Sequence, residues 1–335
     1  MKLSRALRFA ALLPTHRFTG IDLILTRRCN LACSYCGVIN SPVEQELTPA
    51  QWLKIIAWFR RNRHVHFIFT GGEALLYNGL PELVTNTRRH SLTCLMSNGK
   101  ELTEEALREL PGLDFLTLSL DPEGTATDSG KHGFERLDML REYSRSVGLS
   151  VSVMATVTRS NARKVPALAR RMKAYGFPLL LSLYHSGNRK FDFRTDHADL
   201  DFHTPESLAD LGTMAEELIE LKRQGYPVGE NEWYLRSLVP FKQGAVVTPC
   251  RAGRDWFEVD ADGRIKACHD GPPSHLNALD EPTYETLPAE LAGTLPPQCR
   301  CMYDFYFNAQ HLRTRPLSYL WSVFWSRNIV SRWKA

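Results

Sequence analysis

The sequence contains no run approaching the roughly 18 consecutive apolar residues that a membrane-crossing helix needs. No helical span is therefore predicted. The amino-terminal stretch MKLSRALRFAALLPTHR is basic, but its apolar run is short and is followed by Pro14, His16 and Arg17. It does not read as a secretory signal. Internal repeats and low-complexity tracts are also missing. Acidic residues are absent from both ends, with none before Asp22 and none after Asp304. The expected compartment is thus the cytoplasm, whose reducing conditions disfavour disulfides. Eight cysteines in such a chain suggest metal binding or catalysis.

What is present is an ordinary globular composition, with 43% hydrophobic and 23% charged residues and a net charge of only +4. A length of 335 residues suffices for one large domain and a small one. Strand-like and helix-like segments alternate through the first half. Gly20–Thr26 is a short apolar run, and Thr48-Pro49-Ala50-Gln51 opens a helix with a capping box. Strands follow at 66–70, 92–96, 115–120, 150–157 and 179–184. Helices are expected at 81–89, 104–110, 134–144 and 162–175. Six strands alternating with helices predict a parallel α/β sheet, with the chemistry at the strands' carboxyl ends. After residue 186 the pattern changes. Helices are expected at 205–224 and 232–242, and the Asp262-Gly263 pair marks a hairpin between 256–260 and 264–267.

Cys29-Asn-Leu-Ala-Cys33-Ser-Tyr-Cys36 follows the first strand directly. Three thiolates on one loop suit three irons of a cubane cluster, leaving one iron open. A closed zinc site wants a fourth ligand, and none is near in sequence. Thr70-Gly71-Gly72-Glu73 follows the second strand; paired glycines admit a close ligand, and Glu73 offers a carboxylate to an ammonium group. Ser97-Asn98-Gly99 and Ser119-Leu120-Asp121 end the third and fourth strands, and Asn161 follows the fifth. These residues are also ordinary turn and cap formers, and Asn161 suits a helix cap as well as a ligand. Tyr35, just before the third cysteine, either shields the cluster or simply packs. Cys94, inside a strand, reads as a core residue.

The segment TRRCNLACSYCG resembles the cluster loop of the radical S-adenosylmethionine (SAM) superfamily, and the resemblance extends over about residues 20–185. It implies a partial (β/α)6 barrel and a [4Fe–4S] cluster on Cys29, Cys33 and Cys36. In that family the open iron binds SAM, and an electron cleaves it to a 5′-deoxyadenosyl radical that abstracts a substrate hydrogen. Gly71, Gly72 and Glu73 resemble the GGEP motif that binds the methionine amino group, with Ala74 in place of proline. Ser97, Ser119, Asp121, Asn161 and Tyr35 fall at positions like those that contact SAM. An external electron donor such as flavodoxin or ferredoxin is implied.

Four later cysteines, Cys250, Cys268, Cys299 and Cys301, bracket and follow the expected hairpin. Four thiolates suit a cubane cluster or structural zinc. The stretch resembles the twitch or SPASM auxiliary-cluster modules of the same superfamily. The expected organisation is a basic amphipathic segment over 1–19, a barrel over 20–202 and a helical linker over 203–249. A small α+β cysteine module over 250–305 and a basic amphipathic helix over 306–335 complete it. Leu317, Leu320, Trp321, Phe324 and Trp325 recur at helical spacing among basic residues, so the ends fit either peripheral contact at the inner membrane face or packing on the protein. Tyr184 and His185, ending the sixth strand, face either substrate or core. Peptide, carbohydrate and lipid-linked substrates are all compatible, whereas the basic residues show no nucleic-acid pattern. The competing reading is a non-catalytic zinc protein that binds a partner or nucleic acid.

Overall fold

The computed structural model describes residues 17–36, 45–123, 133–184, 198–245, 252–254, 256–269, 271–294 and 302. Residues 1–16 of the amino-terminal basic segment, the whole carboxyl-terminal one, His185, Cys250, Cys299 and Cys301 lie outside the described residues, while residues 17–19 open the first strand. No helix among the described residues is long and apolar enough to cross a membrane.

Six parallel strands alternate with helices, as the periodicity predicts. They are β1 (Arg17–Ile24), β2 (His64–Thr70), β3 (Leu92–Ser97), β4 (Phe115–Ser119), β5 (Ser150–Val157) and β6 (Leu179–Leu183). The helices between them are α1 (Pro49–Arg61), α2 (Leu80–Thr87), α3 (Glu104–Arg108), α4 (Leu137–Val147) and α5 (Val165–Met172). The α1 start is fixed locally: the Thr48 hydroxyl accepts from the Gln51 N–H at 3.4 Å, and Gln51 Oε1 accepts from the Thr48 N–H at 2.9 Å. Gly148, in the left-handed conformation at φ 76°, ends α4. The helix expected at 162–175 is shorter. Residues 162–164 form a 3₁₀ turn and α5 starts at Val165, where Pro166 lacks the N–H an earlier start would need.

Alternate residues of each strand face opposite sides. Leu23, Phe67, Leu95, Leu116 and Val153 face the helices and join Trp52, Ile55, Phe59 and Leu83 in the main core. The other face lines the concave interior. There the register aligns Glu258, Asp22, Ile68, Cys94 and Phe115 in one row. Ile24 pairs with Thr70 and Met96 with Thr117 one step nearer the carboxyl ends.

The carboxyl-terminal half holds α6 (Pro205–Arg223), α7 (Glu232–Lys242), β7 (Phe257–Val259), β8 (Arg264–Lys266), β9 (Pro273–Asn277) and α8 (Leu287–Ala292). The expected hairpin is β7–β8, and Gly263 turns it at φ 87°. β9 is an added strand that the sequence did not announce. The sequence presents residues 250–305 as a separate small module, yet β7 pairs in parallel with β1 and extends the barrel sheet. The result is one open nine-stranded sheet in the order β6-β5-β4-β3-β2-β1-β7-β8-β9. At its other end the β6 edge is not left bare. Leu179 N–H donates to the Pro227 carbonyl at 2.7 Å, and the Leu181 N–H to the buried Glu230 carboxylate at 2.9 Å.

Candidate active site

The cysteine loop leaves β1 at its carboxyl end, and the β1–β2 pairing continues into its root. Leu25 N–H donates to the Thr70 carbonyl at 3.0 Å, Gly72 N–H to Thr26 at 2.8 Å and Glu73 N–H to Arg28 at 2.8 Å. The glycines have a role here besides the expected one. A Cβ on Gly71 would stand 2.4 Å from the Thr26 carbonyl oxygen, and one on Gly72 would stand 2.3 Å from that of Arg28. Their missing side chains let the Gly71–Glu73 turn dock on the root of the cysteine loop.

From there the loop is tied down on three sides. Arg27, buried, donates from Nε and Nη2 to the two oxygens of the buried Asp260 carboxylate in the β7–β8 turn, at 3.0 and 2.5 Å. Asn98, just after β3, donates to Asn30 Oδ1 at 2.9 Å, and Asn30 donates in turn to Glu101 at 2.9 Å. The Tyr35 hydroxyl donates to Asp121 Oδ2 at 2.9 Å, in a buried contact that reaches the end of β4. Tyr184 is buried and packs with Cys33, Tyr35 and Leu200. Its carbonyl accepts from Lys242 Nζ at 2.7 Å, and Lys242 also pairs with Asp201.

Cys29, Cys33 and Cys36 carry free thiols and edge one cavity of about 120 Å³ at the carboxyl ends of β1–β4. Gly71, Gly72, Glu73, Ser97, Asn98 and Ser119 form its other walls, with Tyr35 also at the rim. Among the described residues, no group of three or more His, Cys, Asp or Glu side chains is gathered as for a single metal ion. A cubane makes a different demand, since each thiolate binds a separate iron. Three soft sulfur donors on one rim, with no histidine among the lining groups, match that preference. A larger cleft of about 400 Å³ at the amino ends of β4 and β5, between Leu107 and Tyr143, has neither cysteine nor histidine in its walls.

Electrostatics mark the site further. Burial pushes the Glu73 carboxyl above its ordinary range, while the Asn98 and Leu75 N–H groups and the Ser97 hydroxyl pull it back. Those N–H contacts measure 2.8 and 3.1 Å. Burial likewise raises the Cys29 thiol, with the negative charges of Glu73 and Cys36 adding to the rise and the Leu31 and Asn98 hydrogen bonds opposing it. Deeper in the barrel, burial raises Asp22 to about 8, with the Glu258 charge adding to the effect, and it accepts from the Trp256 indole at 2.6 Å. Burial pushes Cys94 up to about 12 and His66 down to about 4, so both stay neutral. For Glu258, burial works upward, but Lys266 and His269 outweigh it and hold the carboxyl at about 2.

Of the residues singled out in the sequence, Cys29, Cys33, Cys36, Tyr35, Gly71, Gly72, Glu73, Ser97 and Ser119 share the cavity. Asp121 reaches it through Tyr35. Asn161 is spent on its own turn: it is fully buried, its amide donates to the Thr156 carbonyl at 2.8 Å and its oxygen accepts from the Thr158 N–H at 2.9 Å. It makes no side-chain cap on the helix that follows. Cys268 is buried just past β8, close to Lys266. Cys250, Cys299 and Cys301 are not among the described residues. Sequence reasoning missed Arg27, Asp260, Asn30, Glu101 and Asp22. Only Arg27 and Asn30, lying within the cysteine motif itself, gave any signal.

Residues 23–172 match the family described as the Radical SAM superfamily. The PqqA peptide cyclase of Methylocella silvestris is 32% identical over 169 residues, 47% of this chain and 44% of that protein. The PqqA peptide cyclase of Xanthomonas axonopodis pv. citri is 32% identical over 160 residues, 44% of this chain and 42% of that protein. The match thus spans less than half the length of these curated relatives. Among solved structures, Streptococcus suis SuiB bound to its precursor peptide SuiA superposes with a TM-score of 0.62 at 16% identity, covering 88% of this chain and 70% of SuiB. Native anSMEcpe with bound AdoMet and a Cp18Cys peptide gives 0.58 at 16% identity, covering 94% of this chain and 99% of that one. At such identities the two structures speak to the fold alone, and that fold is the open parallel barrel described above. The cysteine loop and the glycine-glutamate turn docked on it both lie within the matched stretch, and residues 23–172 form a radical SAM domain.

Proposed function

We propose that the chain is a peptide-modifying radical SAM enzyme in which Cys29, Cys33 and Cys36 hold a [4Fe–4S] cluster. The observation that carries this is the single cavity edged by all three thiols and walled by Gly71–Glu73. When bound, the cluster and SAM supply reductive cleavage to a 5′-deoxyadenosyl radical, which takes a hydrogen atom from the substrate. The chain's own residues bind and orient. The Glu73 carboxylate, pre-set by the Asn98 and Leu75 N–H groups, accepts the SAM ammonium. Ser97 and Ser119 offer hydroxyls to the rest of the cofactor, and Tyr35, fixed by Asp121, walls the cluster from solvent.

A peptide substrate is favoured over a carbohydrate or a lipid-linked one. The curated relatives are named for a peptide that they cyclise, and SuiB has been captured with its precursor peptide. Cys250, Cys268, Cys299 and Cys301 are proposed to hold an auxiliary cluster that supplies an electron acceptor. The burial of Cys268 on a hairpin joined to the cysteine loop through Arg27–Asp260 supports this. A flavodoxin or ferredoxin is the proposed donor to the first cluster.

The test is anaerobic purification followed by incubation with SAM and dithionite. Iron with absorbance at about 410 nm and formation of 5′-deoxyadenosine are expected; a Cys29/Cys33/Cys36 triple alanine variant is expected to form no 5′-deoxyadenosine and to keep only the auxiliary cluster's share, about half, of the iron. A colourless protein that holds only zinc and forms no 5′-deoxyadenosine would overturn the reading and favour the zinc-protein alternative.

A further inference from the structure

We propose that Asn98 is a positioning residue that raises the reduction potential of the SAM-binding cluster through a hydrogen bond to Cys29. The inference rests on the cluster reading above and deepens it. Asn98 is 8% exposed, and its Nδ2 lies 3.7 Å from Cys29 Sγ. The same nitrogen donates to Asn30 Oδ1 at 2.9 Å, so its two hydrogens have two acceptors.

The orientation of the amide is fixed by its other end. Oδ1 accepts from the Lys100 N–H at 2.9 Å, which a flipped amide could not do. The backbone is held as well, since the Asn98 N–H donates to Glu73 Oε2 at 2.8 Å. The donor is therefore aimed at the sulfur before any cofactor arrives.

Reduction adds negative charge to a cluster and its thiolates. An N–H directed at one of those sulfurs stabilises the reduced form more than the oxidised one and raises the potential. Asn98 thereby joins the residue proposed to grip SAM, Glu73, to a sulfur proposed to grip iron, Cys29. Ser97-Asn98-Gly99 stands out in the sequence as a strand-end motif; this assigns its middle residue a task.

The experiment uses the full-length reconstituted protein and a potentiometric titration followed by electron paramagnetic resonance. The signal that changes when SAM is added identifies the cluster at Cys29. Asn98→Leu removes the donor at similar size. Asn98→Ala removes it without adding charge, and it carries the test if the leucine variant loses iron. At the wild-type midpoint potential, both are expected to show the reduced-to-oxidised ratio fall about tenfold, which is roughly 59 mV for a one-electron couple. Asn30→Ala breaks the loop latch but leaves the N–H facing Cys29, and its midpoint is expected to match wild type. An unmoved midpoint in the Asn98 variants overturns the proposal. So does an equal shift in Asn30→Ala, which would assign the effect to the latch. A wild-type protein with no SAM-responsive cluster would instead refute the cluster reading, and this proposal with it.

Discussion

Asp22 offers a direct measure of how strongly the barrel interior disfavours charge. It lies in β1, opposite Glu258 of β7, and its carboxyl accepts the Trp256 indole N–H. Its pKa is raised from 3.8 to about 8, first by burial and then by the Glu258 charge. A folded-state pKa above the unfolded value adds stability that is fully present below about pH 4 and is lost as pH rises through about 8. About four pH units at 1.36 kcal/mol each amount to roughly 5–6 kcal/mol. Of this, ~3–4 kcal/mol falls between pH 5 and pH 8, the rest below pH 5 and just above pH 8. The substitution Asp22→Asn keeps an acceptor for Trp256 and removes the titration. This variant is therefore expected to gain stability over wild type progressively from pH 5 to pH 8, by ~3–4 kcal/mol, and then level off. Urea unfolding of both proteins at pH 5, 6, 7, 8 and 9 under reducing, anaerobic conditions reads the difference directly. Parallel stability curves for the two proteins across that range would refute the claim that Asp22 is held protonated.

Three further outcomes are expected. Gly72→Ala brings a methyl to 2.3 Å from the Arg28 carbonyl and should cost about 1–3 kcal/mol together with most of the iron at the first site; wild-type iron content would count against the docking role. Arg27→Met or Asp260→Leu alone removes one partner of a buried ion pair and should cost about 3–5 kcal/mol, whereas the double variant should cost clearly less than the sum; additive losses in a double-mutant cycle would remove the coupling. Cys268→Ser should lower the anaerobic iron content from about eight to about four per chain, and unchanged iron would sink the auxiliary-cluster proposal.

Features set by near neighbours in sequence were legible without coordinates. Thr48-Pro49-Ala50-Gln51 specifies a helix start through bonds that span three residues, and the structure forms them. The cysteine loop and the Gly71–Glu73 turn were visible for the same reason, and they do meet in one cavity. Their contact was less legible. The glycines suggested room for a ligand, whereas the Cβ positions they leave empty face the backbone of Thr26 and Arg28. Asn161 illustrates the same limit, because an asparagine after a strand can bind, cap or close its own turn, and only the surrounding carbonyls decide. The sheet extension was invisible for another reason. β7 is three residues long and pairs in parallel with a strand far upstream, which leaves no hairpin signal. β9 begins with a proline and reads as loop, and β8 supplies the pairing that makes it a strand.

The parallel joining of β7 to β1 also bears on how the protein is made. Arg27 emerges from the ribosome 233 residues before Asp260. At about 5–20 residues per second, the cysteine loop waits roughly ten to fifty seconds for the carboxylate that neutralises its root. During that interval the β1 edge is unpaired on one side and three thiols are already exposed on the nascent chain. Metal delivery and protection from oxygen must therefore cover the time of synthesis, or follow it.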